Sequence, residues 1–176
     1  MVDNAAGYLI VERNDRILIA IGIPHYKGLY RTPDWSQEAY ESGFNDPLVF
    51  GTYTNSYGLI PILREAVEVV QRFAEIEPIA GLEIVWTRQA GSHVDVPLAC
   101  TYLGIDVACT APFWSILADR PGDDFVKRAA EFINPEGLFP NADRASWYLS
   151  EYRRHHPEKA EIVLYLWEVY ALAPDA

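Results

Sequence analysis

The chain predicts an α+β fold, a mainly antiparallel sheet with three to five helices, and three observations carry that expectation. β-rich runs stand at both ends of the sequence, helical periodicity is confined to the middle and the later part, and half of the 176 residues are apolar. That composition and length suit a single globular domain over residues 1–176 with one core. There is no internal repeat, linker or low-complexity stretch to divide it.

Taken in order, Tyr8 to Glu12 and Arg16 to Ile21 flank Asn14-Asp15, two residues that tolerate the positive φ of a tight turn, and predict an N-terminal hairpin. Thr32 offers an N-cap with Pro33 at the first helical position, and Gly43 can end the short helix that follows. A short strand is read at Val49–Tyr53. The clearest helix runs from Pro61 to Glu75, with Ile62, Leu63, Ala66, Val67, Val70, Phe73 and Ala74 on its inner side. Leu82 to Thr87 and Thr101 to Cys109 read as strands expected to pair across the turn-rich segment between them.

A helical turn is expected at Phe113–Leu117. A further helix, capped by Asp123 or Asp124, should bury Phe125, Val126, Ala129, Phe132 and Ile133. Asn141 should cap another, with Ala145, Tyr148, Leu149 and Tyr152 inward and His155-His156-Pro157 ending it. Ile162 to Leu172 forms a long C-terminal strand, apolar on both faces except at Glu168, as suits a strand covered on both sides and inserted into the sheet.

Charge bounds the partners. A formal net charge of -11 is spread through both halves of the chain, which argues against nucleic acid and favours a basic protein surface. No Lys or Arg lies between Arg31 and Arg64, and that gap holds Asp34, Glu38, Glu41 and Asp46 beside Trp35 and several other aromatics. Aromatic anchors within a charged surround are common interface chemistry, so Asp34, Trp35, Glu38, Glu41 and Asp46 are the candidate partner-binding residues.

The first residues lack a basic n-region, and no apolar run approaches the roughly 20 residues of a membrane span, so no membrane partner is expected. Two cysteines, Cys100 and Cys109, are too few for a disulfide framework, and a reducing cytoplasm fits these observations. Nine positions apart, they fall on opposite faces of a regular strand unless a bulge at Gly104 changes the parity.

Catalytic patterns are sparse. Neither a Walker loop, nor GxGxxG, nor GxSxG occurs, and no cofactor is expected. Asp106 and Glu168 each interrupt an apolar strand. On a shared face they would form the converging carboxylates of a small hydrolase; otherwise each lies on a solvent stripe or pairs with an arginine such as Arg88. His93 and Asp95 would project to one side of an extended segment as metal ligands, with His155-His156 the obvious supplier of a third; a polar surface turn is the simpler account. A thiolate–histidine nucleophile lacks the positive surroundings it needs, which leaves the thiols as small buried hydrophobes. Five tryptophans, Trp35, Trp86, Trp114, Trp147 and Trp167, allow a ligand pocket for a small molecule or, more simply, core filling.

The segments TYLGIDVACTAPFWSIL, NPEGLFPNADRASWYLSEYRRHHPE and EIVLYLWEVYAL together resemble small bacterial proteins that stand beside secreted toxins as immunity proteins. The resemblance covers about the last 80 residues and rests on general pattern, so it transfers no functional residue. It implies a cytoplasmic protein that protects its producer by binding a cognate toxin, and the acidic charge favours a basic one. The sequence leaves the oligomeric state open.

Overall fold

A computed structural model describes residues 5–13, 29–30, 55, 59–76, 82–109, 114–118, 125 and 128–173. Its centre is one antiparallel sheet of strands β1 (Ala6–Arg13), β2 (Leu29–Tyr30), β3 (Leu82–Gln89), β4 (Cys100–Cys109), β5 (Trp114–Ser115) and β6 (Tyr165–Leu172), ordered β2-β1-β3-β6-β4-β5. Four strands carry the sheet, and the two-residue strands β2 and β5 flank them. The α+β class is thus established. The hairpin turn at Asn14-Asp15 and its second arm lie outside the described residues, as do the helix read after Thr32 and the strand read at Val49–Tyr53.

β3 and β4 do not pair with each other, contrary to the sequence expectation. β6 lies between them, with Arg88 opposite Glu168 on one side and Ile105 opposite Glu168 on the other. The reason is visible in β6 itself. Trp167 and Val169 face one way and Tyr170 the other, all three buried, and a strand apolar on both sides is withdrawn from water most fully in a central slot. The strand begins at Tyr165 and not at Ile162, and spans 8 residues.

Helix α1 (Leu63–Ile76) and helix α2 (Ala142–His155) both lie against the sheet face that carries Ile10, Ile84, Ile105 and Val107. On α1, Ala66 and Val69 are buried and Val70 packs beside them, whereas Val67, and Ile62 just before the helix, face solvent. The spacing 66, 69, 70 is the i, i+3, i+4 stripe of one helix face, and it displaces Val67 from the inner side on which the sequence placed it. On α2 the sequence expectation is met. Asn141 Oδ1 accepts the Arg144 N–H at 3.0 Å, Ala145, Tyr148 and Tyr152 are fully buried, and the helix ends at His155.

Two further segments differ from expectation. Trp114–Ser115 forms β5, paired with Ala108 and Cys109, and only Ile116–Ala118 turns into a 3-10 helix where a helical turn over 113–117 was expected. In the helix read over Phe125 to Ile133, Phe125 is helical and Arg128–Glu131 form a 3-10 turn that buries Ala129 and brings Phe132 to the edge of the core, while the cap at Asp123 or Asp124 and Val126 lie outside the described residues.

The bulge read at Gly104 exists. The β4–β6 register shifts between Tyr102 and Gly104, and Gly104 takes φ +148°. A Cβ there would stand 2.7 Å from Leu138 Cβ and 2.9 Å from the Phe139 carbonyl oxygen, so only glycine fits. Phe139 pairs with Ile105 through reciprocal backbone hydrogen bonds of 2.8 and 2.9 Å at this point. The extra residue changes the parity of β4, so Cys100 and Cys109 share a face at opposite ends of a ten-residue strand, too far apart to bridge.

Candidate functional site

The antiparallel register sets Arg88 of β3 directly opposite Glu168 of β6, on the helix-bearing face between α1 and α2. Arg88 Nε donates to Glu168 Oε2 at 2.5 Å, Arg88 Nη1 donates to the Val94 carbonyl at 2.5 Å, and the Tyr170 hydroxyl donates to Glu168 Oε2 at 2.9 Å. The Arg88 and Glu168 side chains are 21% and 20% exposed. The pairing with Arg88 that the sequence offered for Glu168 is therefore formed.

Trp86 and Tyr102 meet the Tyr170 ring edge-on, each at 5.4 Å, and Val94 and Val96 of the following loop pack on the same cluster. The hydrogen bond to Glu168 raises the Arg88 pKa, and burial, reinforced by Glu168, raises that of Tyr170. With its Oε2 already accepting from two donors, Glu168 acts as a cross-strand clamp, and Arg88 extends the clamp to the loop after β3 through the Val94 carbonyl.

Asp106 solves burial differently. It is 4% exposed, and its Oδ1 accepts from Ser115 Oγ at 2.5 Å and from the Val107 N–H at 2.7 Å. Ser115 Oγ accepts in turn from the Leu117 N–H at 3.2 Å, so the carboxyl ties β4 to β5 and to the 3-10 turn that follows. Burial pushes the Asp106 pKa up to about 6, and the two hydrogen bonds limit the rise.

The two acids do not converge. Asp106 lies opposite Trp167, and Glu168 is the next residue of β6, so the register sends the carboxylates to opposite faces of the sheet. The paired-carboxylate hydrolase is thereby corrected: acid and base must flank one bond, and here a layer of backbone separates them. Glu168 is committed to Arg88, and Asp106 to Ser115.

His93 and Asp95 are both exposed, alternating with the half-buried Ser92, Val94 and Val96, which is the extended geometry read from the sequence. Among the described residues, no three His, Cys, Asp or Glu side chains group as metal ligands. His155 is exposed and stacks on Phe125 at 4.5 Å, whereas His156 is buried beside Tyr152 at 4.8 Å, so each imidazole is engaged with an aromatic ring at the end of α2. Burial raises the Cys100 thiol pKa, the direction opposite to nucleophile activation. Asp34, Trp35, Glu38, Glu41 and Asp46 lie outside the described residues.

An open cleft of about 570 Å³ lies at the start of α2, lined by Arg128, Phe132, Asn141, Asp143, Arg144 and Trp147. Of these, sequence reasoning singled out Asn141 as a helix cap and Trp147 as one of five tryptophans. The readable signal was on α2: Arg144 and Trp147 are three apart and both exposed, flanking the buried stripe of Ala145, Tyr148 and Tyr152. Arg128 and Phe132 reach the cleft through a 3-10 turn that the periodicity read as α-helix.

Fold and site together define an α+β protein with one antiparallel sheet, in which the acids Asp106 and Glu168 are held by internal partners. No family model, curated protein or solved structure matches the chain. No helix among the described residues is long and apolar enough to cross a membrane.

Proposed function

We propose that this chain is a noncatalytic binding domain that presents an acidic surface to a basic protein, and that its specific role is that of an immunity protein neutralising a basic toxin in the cytoplasm of the producing cell. The observation that carries the reading is the charge: 25 acids against 14 lysines and arginines, of which Asp106 and Glu168 in the central strands are hydrogen-bonded or neutralised internally. An acid excess of this size favours a basic opposing surface, where complementary potentials accelerate encounter and reject like-charged partners. Asp34, Trp35, Glu38, Glu41 and Asp46 are the proposed contact residues.

The test is affinity capture from the source cell's lysate at low and at moderate salt, followed by titration of the captured protein against the variant D34K/E38K/E41K/D46K. A stoichiometric basic partner that survives moderate salt and loses at least about tenfold in affinity to the variant supports the reading. Equal affinity for parent and variant removes the acidic stretch from the interface, and capture of no basic partner removes the immunity role.

A further inference from the structure

The cleft at the start of α2 carries an inference independent of the partner-binding reading. Its charge runs against the rest of the molecule. In a chain of net charge -11, two guanidiniums, Arg128 and Arg144, flank one opening, and neither forms an ion pair within the described residues. The same lining carries two aromatic rings. The Phe132 and Trp147 rings lie 4.7 Å apart, tilted by 46°, and the Arg144 guanidinium sits 5.7 Å from the centre of the Phe132 ring. Trp147 is left 43% exposed although it stands beside a core that buries Tyr148 completely.

Each feature has a chemical complement. Guanidinium groups are planar donor forks matched to phosphate or carboxylate oxygens. An exposed indole next to a phenyl ring offers a stacking surface for a planar ring. The Asp143 carboxylate, also on the lining, accepts from hydroxyl or amino groups. A volume of about 570 Å³ is in the range of small-ligand sites and accommodates one ring system with one anionic group.

We propose that this cleft binds a small organic phosphate bearing a planar ring, of the nucleoside monophosphate type: phosphate on Arg128 and Arg144, ring on Trp147 and Phe132, and ligand hydroxyls toward Asp143. The cap at Asn141 contributes by orientation, since its side chain is engaged by the Arg144 N–H and so fixes the helix turn from which Asp143, Arg144 and Trp147 project.

The experiment is a titration of the intact chain with adenosine 5′-monophosphate, adenosine and inorganic phosphate, read by calorimetry and by the indole N–H resonance of Trp147. The monophosphate should give a saturable shift at Trp147 and bind at least about tenfold more tightly than either fragment, because it alone engages both halves of the site. R128Q and R144Q should each weaken it at least about fivefold with the unfolding midpoint unchanged, and W147A should weaken it by a similar factor in calorimetry below its own unfolding midpoint. No saturable binding up to about 10 mM overturns the site, as does binding that R128Q, R144Q and W147A all leave intact. Inorganic phosphate binding as tightly as the monophosphate overturns the ring-stacking part, and adenosine binding as tightly overturns the anion part.

Discussion

The Glu168 region and the Asp106 region lie one strand apart in the same sheet, and they handle a carboxyl group in opposite ways. On the helix-bearing face, Glu168 accepts from Arg88 and Tyr170 in a part-exposed cluster. On the other face, Asp106 is almost fully buried and is held by a hydroxyl and a backbone N–H, both of them neutral donors. An ion pair offsets desolvation by Coulomb attraction; neutral donors offset it only in part, and the remainder appears as a raised pKa. A polar residue interrupting an apolar strand therefore does not by itself mark an active site. Its face decides which partners reach it.

The contrast is lost most completely at the bulge that sets those faces. Gly104→Ala combines a disfavoured φ with a Cβ driven against Leu138 and the Phe139 carbonyl, and should cost on the order of 4 kcal/mol in denaturant unfolding. A loss below about 1 kcal/mol would mean that β4 accommodates the side chain by shifting its register.

Asp106→Asn separates the two regions through pH. Because the folded pKa, about 6, lies above the ordinary value of 3.8, the native state holds the proton more tightly, and stability falls as pH rises from about 4 to about 6 and then levels off. The amide keeps an acceptor for Ser115 and Val107 without the charge. The variant should therefore match the parent near pH 4 and exceed it by about 3 kcal/mol above pH 7. Parallel stability–pH curves for the two proteins would show that the Asp106 carboxyl carries no desolvation cost.

Arg88→Ala removes the cation from the other region and leaves Glu168 part-buried with Tyr170 as its remaining donor, for an expected loss of about 2 kcal/mol. Adding Glu168→Gln should recover about 1 kcal/mol of that loss, since the stranded charge is gone. Strict additivity of the two substitutions would assign the effect of Arg88 to its bond with the Val94 carbonyl.

Local signals were legible. The Asn141 cap, the inner face of α2, the Gly104 bulge and the availability of Arg88 for Glu168 all follow from residue type and short spacing. Within the candidate cleft, Trp147 and Asn141 were visible one at a time, but their meeting with Arg128 and Phe132 was not. Two segments joined by a 3-10 turn and a loop have no common period to read.

Composition, capping and apolar periodicity sufficed for the α+β class, the acid excess, the bounds of α2 and the two-sided burial of β6, because each of these acts within a few residues or is summed over the chain. It took the folded arrangement to place β6 between β3 and β4, to turn Asp106 and Glu168 to opposite faces, and to bring two arginines and two aromatics into one cleft. Strand order and register arise from contacts between distant segments, and with a side-chain period of two, a single bulged residue reverses every face beyond it.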